Sequence, residues 1–169
     1  PDPNAVYCQE VRVDLDGLEP QVARPHNFDN VVPVSRTAGI PIHQAQVGSC
    51  ANGNLEDIAT VVRMVKGKRV AEGVRLLVQP ASWAVYRASL ERGFIGDLLD
   101  AGAQVLSPGC HLCIGMQGAL AGGDVCITST TRNFRGRMGS ADAQIYLASP
   151  ATVAASALAG VIADPREVV

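Results

Sequence analysis

The chain contains a C-x-x-C motif, Cys110-His111-Leu112-Cys113, which places two thiols within one turn of backbone. Two thiolates at this spacing can bind one metal centre. The same spacing also occurs in redox dithiols and in half-sites for zinc. The motif alone therefore leaves three chemistries open: a redox dithiol, part of a zinc site or part of an iron–sulfur site.

A third cysteine, Cys50, follows a short predicted strand. Three thiolates suit an iron–sulfur cluster in which one iron has no protein ligand, and an open iron can act as a Lewis acid on a substrate hydroxyl and carboxylate. A helix predicted from Asn54 points its positive N-terminus toward Cys50, which favours a thiolate. Glycines that allow close backbone approach flank the cysteines: Gly48, Gly53, Gly109 and Gly115.

Two arginines, Arg132 and Arg137, lie five residues apart in a polar segment that follows another predicted strand. Each guanidinium can bind one carboxylate through two parallel hydrogen bonds. A substrate with two or three carboxylates needs at least two such groups. Arg135 lies between them and can point away. Without other evidence, a segment with three arginines is more often simply a solvated surface.

Strands and helices alternate along the chain, which predicts an α/β fold: a three-layer αβα domain with a mostly parallel sheet. Residues 1–41 form a predicted extended lead-in and residues 42–169 the core of a single domain. The lead-in includes a half-exposed strand at 11–16 and a loop-like stretch at 19–41 that contains four prolines. Strands are predicted over 45–47, 74–78, 103–106 and 125–128, and helices after Asn54, Ser82 and Ser149 and around Leu98.

In parallel sheets, ligands bind beyond the carboxyl ends of the strands. Three segments fall at such ends: 48–50, 108–110 and 129–137. Two of them carry cysteines and the third carries arginines, so a site built from all three joins thiolate ligands to a carboxylate-binding surface.

Composition excludes several classes of protein. Hydrophobic residues make up 47% and charged residues 18%, which is globular rather than disordered composition. A net charge of −2 and 4% aromatic residues argue against nucleic acid as a partner. The odd cysteine count and the absence of a secretory signal indicate a protein of a reducing, cytoplasmic environment. The absence of a long apolar run argues against a membrane partner. Because the chain begins at Pro1, we expect it to be part of something longer.

The remaining candidate residues have simpler interpretations. Cys8 and Cys126 are expected to be structural, as small hydrophobic side chains. His111 is expected to neighbour the cysteines rather than to bind a metal. His26, in a predicted loop, is given a structural role in preference to acid–base chemistry. Trp83 and Tyr86, at helical spacing, are expected in the core.

Three motifs resemble those of the aconitase and 3-isopropylmalate dehydratase superfamily. Gly48-Ser49-Cys50-Ala51-Asn52-Gly53 is similar to its G-S-C-T-N-G motif, and Pro108-Gly109-Cys110-His111-Leu112-Cys113-Ile114-Gly115 to P-G-C-x-x-C-x-G. Arg132-Asn133-Phe134-Arg135-Gly136-Arg137 is similar to its R-N-F-x-G-R substrate loop. The chain looks closer to the dehydratase large subunits than to the long single-chain aconitases, and it resembles the third, cluster-bearing domain.

The resemblance implies a [4Fe–4S] cluster on Cys50, Cys110 and Cys113 and substrate carboxylates on Arg132 and Arg137. The implied reaction is dehydration and rehydration of a hydroxy di- or tricarboxylate by a hydro-lyase, with a role in leucine biosynthesis if the substrate is isopropylmalate. Homoaconitate and dimethylmalate are alternative substrates.

Family members also have preceding domains that supply acidic and histidine residues, and a small subunit or mobile domain that supplies the catalytic serine. We therefore expect such partners, no catalytic residue in this chain beyond the cluster, and no activity from this chain alone.

The sequence departs from the family pattern at four positions. Ala51 replaces a usual Thr, Asn54 stands where Arg is common, His43 where Asp is frequent, and Thr131 where Asn usually contacts substrate. Two other interpretations therefore stay open beside the hydro-lyase. One is a zinc or redox module that uses Cys110 and Cys113, with His111 as a further candidate ligand. The other is an RNA-binding regulatory relative, against which the acidic charge balance argues.

Overall fold

The computed structural model describes residues 2–168. Its strands are β1 (Gln21–Ala23), β2 (Val31–Pro33), β3 (Gln44–Gly48), β4 (Arg75–Gln79), β5 (Gln104–Val105), β6 (Val125–Thr128) and β7 (Gln144–Leu147). Its helices are α1 (Leu55–Val65), α2 (Trp83–Glu91), α3 (Phe94–Asp100) and α4 (Pro150–Ala159). Two short 3-10 turns lie at Val34–Arg36 and Leu112–Ile114.

All seven strands form one sheet in the order β2-β1-β7-β6-β3-β4-β5. The five strands from β7 to β5 are parallel, and β1 joins β7 in the antiparallel direction. The carboxyl ends of β6, β3, β4 and β5 therefore lie side by side at one edge of the sheet. The α/β class and the mostly parallel sheet are confirmed.

One face of the sheet packs against the helices. Alternate residues of the strands, such as Ala45, Val47 and Leu76, share a buried apolar core with α1, α3 and α4. Ile58 in α1 and Val153 in α4 are both fully buried there. This core fixes the helices behind the sheet and leaves the carboxyl edge of the strands to the loops.

The opposite face is covered mainly by the loop segments 107–124 and 129–143 rather than by helices. Leu120 and Met138 from these segments pack with Cys126 and Ile145 of the sheet in a second, smaller core. Pro108 and five glycines interrupt residues 108–123, and glycine and proline are the poorest helix formers. The sequence predicts helices on both faces, whereas this outer layer is built from loops with one 3-10 turn.

Local signals place the helix starts. Asn54 caps α1 in a capping box, since its side chain accepts from the Asp57 backbone N–H and Asp57 accepts in return from Asn54. Ser82 caps α2, and Ser149 caps α4 ahead of Pro150 at the first helical position. These three starts agree with the sequence predictions.

Some predictions of local structure are wrong. The half-exposed strand at 11–16 does not form, because those residues pair with no strand and Val11, Val13 and Leu15 remain exposed. The stretch 19–41 contains β1 and β2, and β7 has no predicted counterpart. Trp83 is not in the core: it is 66% exposed and stacks at a tilt against Tyr86, with ring centroids 5.6 Å apart.

Within residues 2–168, none of the helices combines the length and the apolar character that crossing a membrane requires.

Candidate functional site

The Cys50 loop, residues 48–54, follows β3 and is held by both neighbouring strands. Gly48 has φ +84°, and a Cβ at this position would overlap the carbonyl oxygen of Gln79 in β4. A Cβ on Gly53 would lie 2.7 Å from the same oxygen. The glycines predicted to allow close approach therefore do so against the β4 backbone. The thiol of Cys50 itself is exposed.

On its other side, the Cys50 loop is bound to the segment that follows β6. The Gly48 backbone N–H donates to Ser129 Oγ over 3.0 Å, and the Asn52 side chain donates to the Ser129 carbonyl. Because Ser129 begins the arginine-bearing segment, the loops of two predicted motifs are hydrogen-bonded to each other.

The C-x-x-C loop, residues 107–116, follows β5 and tightens into the 3-10 turn at Leu112–Ile114. Cys110 is exposed, whereas Cys113 is buried. Burial is the main cause that raises the pKa of Cys113, and the neighbouring Cys110 raises it further. The two thiols are thus close enough to interact, and each of the chain's five cysteines is a free thiol.

Three hydrogen bonds from one buried side chain fix this loop. Gln79 Nε2 donates to the carbonyl oxygens of Ser107 and Gly109, at 3.1 and 2.7 Å. Gln79 Oε1 accepts from the Leu112 backbone N–H at 3.3 Å. Sequence reasoning missed this residue, although a polar residue that ends an otherwise apolar strand is a signal that could have found it.

The two predicted substrate arginines lie in different settings. Arg137 turns inward: its Nη2 lies 3.8 Å from Cys113 Sγ, and its guanidinium carbon lies 5.4 Å from the centroid of the Phe134 ring. Its charge opposes the effect of burial on the Cys113 pKa. Arg132 is exposed and donates to the Thr131 carbonyl over 2.9 Å. Arg135 is also exposed, as predicted for a side chain that points elsewhere.

Arg132 borders a cleft of about 260 Å³ between the arginine segment and the β1–β2 connection. His26 lines the cleft from the β1–β2 side, and its Nδ1 is buried without a hydrogen-bond partner among the described residues. The buried Asn133 joins the two segments, since its side chain donates to the Arg24 carbonyl at 2.9 Å. The sequence did not predict that His26 lies next to Arg132.

Other singled-out residues lie away from this edge or outside the contacts described above. His43 precedes β3 at the opposite end of the sheet, where its Nδ1 accepts from the Val125 backbone N–H at 3.0 Å. Cys126 is buried in the smaller core, as predicted for a structural cysteine, and Cys8 is exposed in the N-terminal segment. His111 packs against Gly109, where a Cβ would meet its ring.

The structure brings Arg137 into contact with Cys113, which also interacts with Cys110, and places Cys50 on a neighbouring loop. Across residues 2–168, no three His, Cys, Asp or Glu side chains converge closely enough to hold one metal ion. A cluster differs from a single ion because each cysteine binds a different iron. Three free thiols on adjacent loops, with a cation beside one of them, fit the ligand chemistry of such a cluster.

These features define an α/β domain with thiols and arginines gathered at the carboxyl edge of a parallel sheet. Residues 35–160 match the aconitase family (aconitate hydratase). The chain belongs to the aconitase family.

The chain is 50% identical over 167 residues to 3-isopropylmalate dehydratase large subunit 2 of Archaeoglobus fulgidus, which covers 98% of the chain and 40% of that relative. It is 50% identical over 170 residues to the 3-isopropylmalate dehydratase large subunit of Mycolicibacterium smegmatis, with 99% and 40% covered. It is 46% identical over 168 residues to the homoaconitase large subunit of Thermus thermophilus, again with 99% and 40% covered. The chain thus spans about two fifths of the length of these curated relatives.

Proposed function

We propose that the chain is the cluster-binding part of a hydro-lyase of the 3-isopropylmalate dehydratase type. Cys50, Cys110 and Cys113 hold a [4Fe–4S] cluster, and Arg132 and Arg137 bind the carboxylates of a hydroxy di- or tricarboxylate. The observation that carries the proposal is the contact between Arg137 and Cys113, because it joins the arginine motif to a cysteine motif at the sheet edge where Cys50 also lies.

When bound, the cluster supplies an open iron that acts as a Lewis acid on the substrate hydroxyl and carboxylate. The residues of this chain hold the cluster and orient the substrate. Arg137 donates toward Cys113 Sγ and so compensates negative charge on the thiolate. Arg132, which is exposed beside the cleft, offers its guanidinium to a substrate carboxylate.

The partners follow from the relatives, which are named large subunits. We propose that the complete enzyme comprises the remainder of a large subunit and a small subunit or mobile domain that carries a serine base. The isolated chain is then expected to have no hydratase activity, and adding only a serine-bearing small subunit does not restore any. Restored activity in that mixture contradicts this part of the proposal.

Anaerobic reconstitution with iron and sulfide tests the cluster. We expect about four irons per chain and a broad visible absorption. Cys50→Ser and Cys113→Ser are expected to lose both, whereas Cys8→Ser, which changes an exposed thiol in the N-terminal segment, retains both. If the unaltered chain takes up no iron, the cluster assignment is wrong.

A second candidate is a zinc or redox module, which the interaction between Cys110 and Cys113 favours, since Cys50 lies on another loop. The Cys50→Ser variant separates the two proposals. A zinc site or dithiol on the C-x-x-C loop is indifferent to Cys50, whereas the cluster needs it. Metal analysis of protein purified without oxygen then shows zinc in one case and iron with sulfide in the other.

A further inference from the structure

Gln79, the last residue of β4, is fully buried between the two cysteine loops. All three hydrogen bonds of its side chain go to the C-x-x-C loop, at the backbone of Ser107, Gly109 and Leu112. One bond lies at the start of the loop, one next to Cys110 and one next to Cys113. The Gln79 side chain is therefore hydrogen-bonded to the loop backbone from Ser107 to Leu112, next to both cysteines.

The backbone of the same residue supports the Cys50 loop. Gln79 pairs with Gly48 in the sheet register, and its carbonyl oxygen is the atom that a Cβ on Gly48 or Gly53 would strike. Two residues further on, the Ala81 backbone N–H donates to the Gly53 carbonyl at 2.8 Å. Gln79 thus contacts both cysteine loops, one through its side chain and the other through its main chain.

An amide suits this position because the loop presents two carbonyl oxygens and one N–H. Glutamine offers two N–H donors and one oxygen acceptor, which match that set. Glutamate has no donor when ionised, and methionine fills a similar volume without strong hydrogen bonds. The loop backbone needs these partners because Pro108 and the turn at Leu112–Ile114 leave it outside the sheet ladder.

We propose that Gln79 is a positioning residue for the thiolate set, which holds the Cys110–Cys113 loop at a fixed place relative to the Cys50 loop. The inference rests on the proposed function for its consequence in cluster binding. Its mechanical part, the fixing of the C-x-x-C loop, applies equally to the metal-free chain.

Gln44 provides a matched control. It is also a fully buried glutamine on the same face of the sheet, in the adjacent strand β3, and its Nε2 donates to the Gly118 carbonyl at 2.8 Å. Gln44→Met therefore loses a hydrogen bond from a buried side-chain amide to the same loop layer. This hydrogen bond goes to a residue outside the C-x-x-C motif. If both variants show the same effect, its cause is a general loss of packing. If only Gln79→Met shows the effect, its cause is the position of the C-x-x-C loop.

The first measurement is alkylation of Cys113 by iodoacetamide at one fixed pH in the reduced, metal-free 169-residue chain. Loss of three buried hydrogen bonds is expected to open the loop, so Gln79→Met should react roughly tenfold faster than the unaltered chain. Gln44→Met should react at close to the unaltered rate. Gln79→Glu, which keeps the shape but loses both donors, should follow Gln79→Met. Equal rates in Gln79→Met and Gln44→Met, or an unaltered rate in Gln79→Glu, overturn the proposal.

The second measurement needs no variant and so does not depend on how the variants fold. The Leu112 amide donates to Gln79 Oε1, and its hydrogen exchange in the unaltered chain should be slowed at least tenfold relative to the amide of the exposed Gln117, which donates to no acceptor within residues 2–168. Unprotected exchange at Leu112 overturns the proposal.

The third measurement is iron and sulfide content after anaerobic reconstitution, followed by the rate of iron loss to a chelator. We expect faster loss from Gln79→Met than from Gln44→Met. If the unaltered chain takes up no iron, the proposed function fails, while alkylation and exchange still decide the role of Gln79. If iron is taken up and both variants lose it alike, only the Gln79 inference fails.

Discussion

The Nη2 of Arg137 lies 3.8 Å from the Sγ of Cys113, so an arginine from one motif touches a cysteine from another. The contact links two segments that follow different strands, β5 and β6, on either side of β3 and β4 in the sheet. A guanidinium next to a thiol favours the thiolate, whereas burial favours the neutral thiol. Both act on Cys113, and burial is the larger cause, so the pKa of Cys113 stays above its ordinary value.

Removing the Arg137 charge should raise the pKa of Cys113 further. Arg137→Met takes away a cause that lowers this pKa and leaves those that raise it, so the thiolate fraction at a given pH should fall. The rate of Cys113 alkylation as a function of pH, followed residue by residue by mass spectrometry, measures the shift.

Arg132→Met is the matched control for that experiment. Arg132 is an exposed arginine of the same segment, and its hydrogen bond goes to the Thr131 carbonyl rather than to a thiol. Its removal should leave the alkylation profile of Cys113 in place. Identical profiles for the unaltered chain and Arg137→Met contradict the contact.

The tight approach of Gly48 to Gln79 predicts a large cost for a single methyl group. Gly48→Ala combines a φ of +84° with overlap of the new Cβ and the Gln79 carbonyl oxygen. We expect a loss of about 3 kcal/mol or more in the free energy of unfolding, because backbone strain and overpacking add. Urea denaturation of both proteins measures the difference.

Gly39→Ala separates the two causes. Gly39 has nearly the same φ, +85°, but a Cβ there meets nothing within 4 Å. It should cost only the left-handed backbone conformation, about 1 kcal/mol. Equal losses at the two positions show that the approach of the Cys50 loop to β4 is not tight.

Features that depend on residues close together in the chain could be predicted from the sequence, whereas features that depend on distant residues could not. Helix starts at Asn54, Ser82 and Ser149 depend on caps within three residues, and all three were predictable. Strand β1 is three residues long, and its pairing with β7 joins residues that are far apart in the chain. Strand β7 itself has only four residues. Such short elements carry little periodicity, and the sequence pattern predicts β5 and β6 but misses β1 and β7.

The candidate site likewise has a part that the sequence predicts and a part that it does not. The parallel sheet alone predicts that the cysteine and arginine motifs meet at one edge, and they do. The contacts of Gln79 with Ser107, Gly109 and Leu112 cross from one strand end to another loop. Asn133 reaches the Arg24 carbonyl across an even longer sequence separation. Neither set of contacts has a local sequence pattern, because both depend on how the loops pack against the folded sheet.

Alkaline pH should destabilise the fold through Cys126. This thiol is fully buried, and burial raises its pKa from 9.0 to about 12. Because the folded pKa lies above the unfolded one, its contribution to stability is complete below pH 9 and is lost as the pH rises toward 12. The loss amounts to at most about 1.4 kcal/mol per pH unit.

Cys126→Val removes that titration while keeping a small apolar side chain. The difference in unfolding free energy between this variant and the unaltered chain should move in favour of the variant as the pH rises above 9. Cys8→Ser, at an exposed position, should follow the unaltered chain throughout. Parallel curves for Cys126→Val and the unaltered chain show that Cys126 is not responsible.

Two neighbouring glutamines of β3 should respond to the same substitution with opposite signs. Gln46 is fully buried, and neither polar atom of its side chain has a hydrogen-bond partner within the described residues. An unpaired buried amide costs about 1–3 kcal/mol, so Gln46→Met should raise the urea midpoint or leave it unchanged. Gln44→Met should lower it, because the Gly118 carbonyl loses its donor. A lower midpoint for Gln46→Met contradicts this prediction.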